Sequence, residues 1–196
     1  MSKIIELFSV PKSSKIFISI VSIIALISGS VFFFKLNSTD QELIKTYIEN
    51  VTINNEYNSL LSLLGINFLL VLIIYLFGFS VIGLIINLFI YFARIFIFSI
   101  EITSLIKILG FKGILASFVY VFPHQIINIF VFAILVIYSI NLSIALIISI
   151  IKKENINFSK FIKTYNKIFI ASLIIIIISI LYEYFILPLI LKLVLN

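Results

Sequence analysis

The sequence contains no cysteine and a single histidine, His124. The absence of cysteine excludes a disulfide, a thiolate nucleophile and a cysteine-based metal site. His124 has no serine or cysteine partner at a recognisable catalytic spacing, and one histidine with Glu183 falls short of the three or four ligands of a zinc site. The sequence also lacks an HExxH motif, a Walker loop and a paired-carboxylate motif. We therefore expect no enzymatic activity, no cofactor and no bound metal.

Charged residues are also scarce, and they are clustered between long apolar runs. They make up 11% of the chain and hydrophobic residues 63%, whereas soluble domains are about 25% charged and about 45–50% apolar. The apolar runs are continuous rather than alternating, which excludes a transmembrane β-barrel. The composition predicts an all-α, polytopic membrane protein that forms a single integral membrane domain over residues 1–196.

The net charge of +6 raises the question of nucleic-acid binding. The basic residues stand beside the apolar runs, where they set the orientation of the chain and attract anionic lipid headgroups. We therefore expect membrane lipid, and not nucleic acid, as the partner of these residues.

Five apolar runs are long enough to cross a bilayer, which takes about 20 residues. The first run is longer than the core of a signal peptide and continues through Phe32–Phe34, which favours an uncleaved span over a cleaved signal. The predicted spans are residues 16–34, 60–77, 81–100, 126–151 and 168–191.

The run Leu60–Ile100 is too long for one span and carries Gly78 and Gly83 near its middle. Glycine weakens a helix and lets another backbone approach closely, which predicts a tight reversal between two spans; the alternative is one long, broken helix. Arg94, the one charge in this run, either snorkels to an interface or faces a polar cavity. A short mixed loop is expected at Glu101–Lys112.

The run Ile114–Ile151 is almost wholly apolar, yet it contains Pro123, His124 and Asn128. Proline removes a backbone donor and clashes with the preceding turn, so a kink or a helix end is expected near Pro123. We expect residues 114–122 to form a re-entrant arm, with five spans in all. If that arm crosses the membrane, there are six spans.

Charge asymmetry predicts the orientation of the spans. The lysine-rich loop 152–167 and the basic N-terminus are expected on the cytoplasmic side, and the acidic loop 36–58 outside. Apolar residues recur at helical spacing in the outer loop, which indicates a short amphipathic helix on the membrane. The acidic residues of this loop, Glu42, Glu49 and Glu56, form the candidate partner surface.

The polar residues of the spans are open to two interpretations. Intramembrane His124, Glu183 and Arg94, together with broken helices, are typical of transporter sites, although duplicated halves are absent. The same groups can hydrogen-bond neighbouring helices and hold the bundle together, which is the structural interpretation that we favour for His124.

The arrangement resembles the stage II sporulation protein M family of bacterial membrane proteins. The likeness runs from about Ile16 to Leu191 and is carried by three features. A first span and an acidic outer loop precede glycine-punctuated spans with FGFSVIG at 77–83, and a glycine pair, GFKG at 110–113, leads into a proline corner, FPHQIIN at 122–128. The last span ends in an acidic residue shortly before a proline, YEYFILP at 182–188. The wider family tends to have a glycine after the Pro-His pair and an acidic residue beyond it, where this chain has Gln125 and Asn128. The positions that carry over are Pro123, His124, Glu183, Gly78 and Gly83, with Asn128 as a neutral stand-in.

The resemblance implies a non-enzymatic scaffold in the bacterial cell membrane. Proteins of this kind hold two peptidoglycan-degrading partners in one complex, which thins septal wall and drives engulfment of the forespore. The expected partners are therefore cell-wall hydrolases, with a homo-oligomer left open. The alternative is a permease-like subunit of a transporter.

Overall fold

A computed structural model describes residues 12–52, 60–118, 122–152 and 158–186 of the chain. These residues form seven α-helices and one π-helical turn, and the described ranges contain no strand, which confirms the all-α prediction. The helices are α1 (Lys12–Lys35), α2 (Ser38–Thr52), α3 (Leu60–Phe77), α4 (Gly83–Leu109), α5 (Phe111–Ala116), α6 (Phe122–Lys152) and α7 (Phe158–Leu181), and the π turn is Tyr182–Ile186.

Five of these helices are long and apolar enough to cross a membrane: α1, α3, α4, α6, and α7 with the π turn that continues it. The prediction of a polytopic bundle with about five spans is therefore confirmed. The outward faces of the spans carry large apolar side chains, among them Ile23, Ile27, Phe89 and Ile178, which are exposed in the isolated chain. Such a surface suits lipid rather than water.

The break near Pro123 is confirmed as a helix boundary. Helix α6 begins at Phe122, so Pro123 stands in its first turn, where a missing backbone N–H removes no intrahelical bond. The preceding α5 is only six residues long. Part of the predicted re-entrant arm, residues 119–121, lies outside the described residues.

Helix α4 extends nine residues beyond the expected end of its span, from Glu101 to Leu109. The mixed loop expected at Glu101–Lys112 is therefore wrong over most of its length. The charged side chains in this stretch find partners on neighbouring helices, since Lys107 donates to Gln41 of α2 and Glu101 accepts from Gln125 of α6. The helix ends at Gly110, whose φ of 59° suits glycine.

The helix expected in the outer polar loop is present as α2. Near the other end of the bundle, α7 begins at Phe158, inside the region expected to be a loop. The last five residues of the final predicted span, 187–191, lie outside the described ranges.

Helices α1 and α4 run parallel and in close contact. Ser22 hydrogen-bonds the Tyr91 hydroxyl at 2.8 Å, and Ser30 hydrogen-bonds Ser99 at 2.8 Å, so the register between the helices stays constant over two turns. At Gly29, an added Cβ would lie 2.5 Å from the Phe96 carbonyl oxygen. Small residues thus allow the two backbones to approach, as in other membrane helix pairs.

Helix α6 occupies the centre of the bundle and packs against both α4 and α7. Contacts from Asn87 with Ser139 at one end to Glu101 with Gln125 at the other show that α4 and α6 are antiparallel. The α1 C-terminus, α2, the α6 N-terminus and the π turn therefore lie at one end of the bundle, and the α3–α4 reversal lies at the opposite end.

The reversal between α3 and α4 accepts hydrogen bonds from side chains of α4, α6 and α7. Asn87 and Tyr165 both donate to the Ile74 carbonyl, each at 3.0 Å, and Tyr165 is also 3.2 Å from the Tyr75 carbonyl. Ser143 donates to the Ser80 carbonyl at 2.9 Å. These carbonyls also accept the backbone N–H groups of Gly78 and Gly83, so the side-chain donors add further hydrogen bonds that join the turn to α4, α6 and α7.

Glycine is required at both predicted positions of this reversal. A Cβ at Gly83 would overlap the Phe77 carbonyl oxygen, which is fixed backbone. A Cβ at Gly78 would overlap the Tyr165 hydroxyl and lie 2.9 Å from the Ser139 hydroxyl oxygen. The tight turn predicted from these two glycines is the observed structure, and the single broken helix is excluded.

We expect Gly83→Ala to lower the free energy of unfolding by about 1–3 kcal/mol, because the added methyl forces the reversal apart. Gly65→Ala is the matched control, since a Cβ there meets no described atom within 4 Å and alanine favours a helix by about 0.5–1 kcal/mol over glycine. Denaturant titration in mixed micelles measures both. Equal stability of the two variants would contradict this account of the turn.

Candidate functional site

A polar seam runs along the interface between α4 and α6. Asn87, Arg94 and Glu101 are seven residues apart on α4, and a seven-residue spacing is close to two helical turns, so they share one face. The seam faces Ser139, Phe132 and Gln125 of the antiparallel α6, which are also seven residues apart.

Arg94 lies near the middle of α4 and points into the bundle. Its guanidinium donates to the Asn67 side-chain carbonyl on α3, and its Cζ is 5.5 Å from the centroid of the Phe132 ring on α6. Of the two alternatives for Arg94, the structure supports the polar interior and not snorkelling. Placing an arginine at the bilayer centre costs about 2.5–3.5 kcal/mol on insertion scales. This cost explains why the Arg94 side chain points into the bundle and not towards lipid.

His124 and Glu183 meet at one end of this seam. The His124 Nε2 is 3.8 Å from a Glu183 carboxylate oxygen, which is within ion-pair range and beyond hydrogen-bond range. His124 is 3% exposed. Ser179, one turn before Glu183, donates to the His124 backbone carbonyl at 3.2 Å. Two side chains thus join the start of α6 to the end of the last span.

The π turn brings Glu183 to this position. It follows α7 directly, and π-helical turns in membrane and soluble proteins often occur at functional sites. His124 reaches the same place because Pro123 begins α6 there. Asn128, one turn further along α6, is 1% exposed, and its side-chain oxygen has no hydrogen-bond partner among the described residues.

Glu101 completes the cluster and was not predicted as a site residue. Its carboxylate accepts from the Gln125 amide at 3.5 Å, and its charge interacts with those of Arg94 and Glu183. We refer to Arg94, Glu101, His124 and Glu183 as the charged cluster. The sequence signal that identifies Glu101 is its seven-residue spacing from Arg94. That spacing has meaning only if Glu101 belongs to the same helix, whereas the sequence analysis expected a loop there.

The predicted site residues thus divide into three places. Pro123, His124, Asn128, Glu183 and Arg94 come together around the charged cluster, whereas Gly78 and Gly83 form the reversal at the opposite end. Glu42 is exposed on α2, beside a cavity of about 350 Å³ whose lining includes Phe33 and Lys107. The Glu49 side chain and Glu56 lie outside the part of the chain that the structure describes.

The charged cluster can hold and balance charge inside the bundle, but it does not present a recognisable catalytic set. Within the described residues, no group of three His, Cys, Asp or Glu side chains is arranged to hold a metal ion. The fold and the site together define a multi-pass membrane protein whose interior carries a cluster of ionisable residues.

The family model for stage II sporulation protein M matches residues 16–188. The chain therefore belongs to the stage II sporulation protein M family, which consists of sporulation-associated membrane proteins and is not known for enzymatic activity. This confirms the family resemblance seen in the sequence. Comparison with curated proteins and with solved structures gives no match.

We expect Arg94→Gln to lower the free energy of unfolding by about 3 kcal/mol, because it removes the guanidinium charge that acts on the buried carboxylates of Glu101 and Glu183. Adding Glu101→Gln should recover part of that loss, since it removes one of the two stranded charges. Lys163→Gln, at an exposed lysine, is the control. The measurement is unfolding in mixed micelles, and a double variant no more stable than Arg94→Gln would refute the electrostatic coupling.

Proposed function

We propose that the protein is a non-enzymatic membrane scaffold that assembles and localises peptidoglycan hydrolases for septal wall thinning and forespore engulfment. The observation that carries the proposal is membership of the stage II sporulation protein M family over residues 16–188. The described residues, whose polar groups are arranged to bind neighbouring helices, are consistent with a protein that acts by assembling partners.

The proposed orientation places the N-terminus and loop 152–167 in the cytoplasm and loop 36–58 outside. The lysines of loop 152–167 support it through the positive-inside rule. The packing is compatible with it, because α1 and α4 are parallel while α4 and α6 are antiparallel. In this orientation α2, the start of α6 and the π turn all face the cell wall.

Helix α2 is the proposed partner surface. Gln41 fastens it to the bundle, since its amide donates to the Phe33 and Leu36 carbonyls and its side-chain oxygen accepts from Lys107. Glu42 follows immediately and is exposed. A helix held through Gln41, with the exposed acidic residue Glu42 next to it, suits a basic partner surface, because complementary charge guides association.

We expect the triple variant Glu42→Lys, Glu49→Lys and Glu56→Lys to insert normally and to recover at least tenfold less hydrolase on co-purification. Like charges would then oppose the partner's basic surface. Glu154→Lys, which reverses a charge on the proposed cytoplasmic side, is the matched control. The measurement is cross-linking in asymmetrically dividing cells through an N-terminal tag, and unchanged hydrolase recovery would remove α2 from the proposal.

A permease-like subunit is the second candidate, and the charged cluster favours it. Arg94, Glu101, His124 and Glu183 lie inside the bundle, where ionisable residues often mark a substrate or ion path. The same cross-linking experiment separates the candidates, because a permease subunit should recover a cytoplasmic ATPase and no wall enzymes. In that case His124→Ala should abolish transport while the protein still folds.

A further inference from the structure

The charged cluster is unbalanced when His124 is neutral. With both carboxyls ionised, it then contains one positive charge, on Arg94, and two negative charges, on Glu101 and Glu183. The three groups interact electrostatically, since the Arg94 charge acts on both carboxylates. The sum is one net negative charge inside a membrane bundle, and an unbalanced buried charge is strongly disfavoured.

The surrounding helices place no further described charge beside the cluster. Helix α7 carries Lys163 and Lys167, which are exposed and lie at least 16 residues before Glu183, near the opposite end of the bundle. Helix α3 has no charged residue and contributes Asn67, while the only charge of α6 is Lys152 at its far end. Helix α1 has its lysines at positions 12, 15 and 35, outside its apolar interior. Lys107 of α4 points elsewhere, towards Gln41 and the rings of Phe33 and Phe34.

We propose that the charged cluster is a proton-binding site, which holds one proton on His124 as an imidazolium paired with Glu183. That proton makes the cluster neutral, with two cations and two anions. The geometry fits, because the His124 Nε2 lies 3.8 Å from the Glu183 carboxylate and His124 is buried. His124 is the group of the cluster whose protonation adds a cation, and its Nε2 faces the Glu183 carboxylate, so the proposal places the proton on the imidazole and not on a carboxyl.

The bound proton stabilises the contact between two segments that are far apart in the sequence. The imidazolium–carboxylate pair joins the first turn of α6 to the π turn, beside the Ser179 hydrogen bond to the His124 carbonyl. The proton is therefore part of what holds the end of the last span against α6. This inference concerns charges within the bundle and stands independently of the scaffold proposal.

The single histidine of the chain makes the test direct. Protein labelled with ¹⁵N-histidine and purified through a tag that contains no histidine gives signals from His124 alone. In lipid nanodiscs at pH 7, the two ring nitrogens of the wild-type protein should have the similar shifts of an imidazolium. Neutral imidazole instead shows two widely separated shifts.

Glu183→Gln and Glu101→Gln should each convert His124 to neutral imidazole, because either variant balances the cluster without a proton. Glu42→Gln, which removes an exposed carboxylate on α2, should leave the imidazolium unchanged. Glu101→Gln matters most, since it leaves the His124–Glu183 contact intact and alters only the charge balance. Circular dichroism and gel filtration establish that each variant is folded.

A neutral imidazole in the folded wild-type protein would overturn the proposal. An imidazolium that persists in both glutamine variants would overturn it as well, because the proton would then not depend on the charge balance. If neither variant folds, the wild-type spectrum alone decides whether His124 holds the proton.

Discussion

The interior of a bilayer contains no water to hydrogen-bond an exposed backbone group, and much of this fold follows from that constraint. The α3–α4 reversal shows how the chain meets it. Its carbonyls accept backbone N–H groups within the turn, and Asn87, Tyr165 and Ser143 donate to them as well. Two of these donors come from α6 and α7, so the turn depends on helices that follow it in the sequence. The reversal therefore needs the packed bundle for its full set of hydrogen bonds.

The same constraint places the polar side chains. Each large polar group of the seam faces another helix, as Arg94 faces Asn67 and Glu101 faces Gln125. Hydrogen bonds alone do not balance the charge of this interior, because there are two carboxyl groups, on Glu101 and Glu183, and a single guanidinium. In a medium of low dielectric constant, the sum of charges matters as much as each contact. The protonation state of His124 therefore changes the charge balance of the whole cluster.

Much of the fold could be predicted from the sequence, since long apolar runs and two glycines specify the helices and one reversal. The end of α4 could not, because a stretch beginning with Glu101 resembles a loop until Gln125 of another helix is placed beside it. The site shows the same limit. His124 and Glu183 were each identified as residues of interest, but they are far apart in the sequence and no local period joins them. Their contact depends on a helix start and a π turn that meet only in the folded bundle.

The proposed partner surface and the charged cluster share one helix. Lys107 of α4 fastens α2 through Gln41, and Glu101, less than two turns away on the same helix, belongs to the cluster. If α2 binds a partner and His124 holds a proton, as proposed, both sites contact the same stretch of α4, from Glu101 to Lys107. Any effect of the partner on the proton affinity of His124 would then be matched by an equal effect of the proton on partner affinity, because a coupling free energy between two sites is reciprocal.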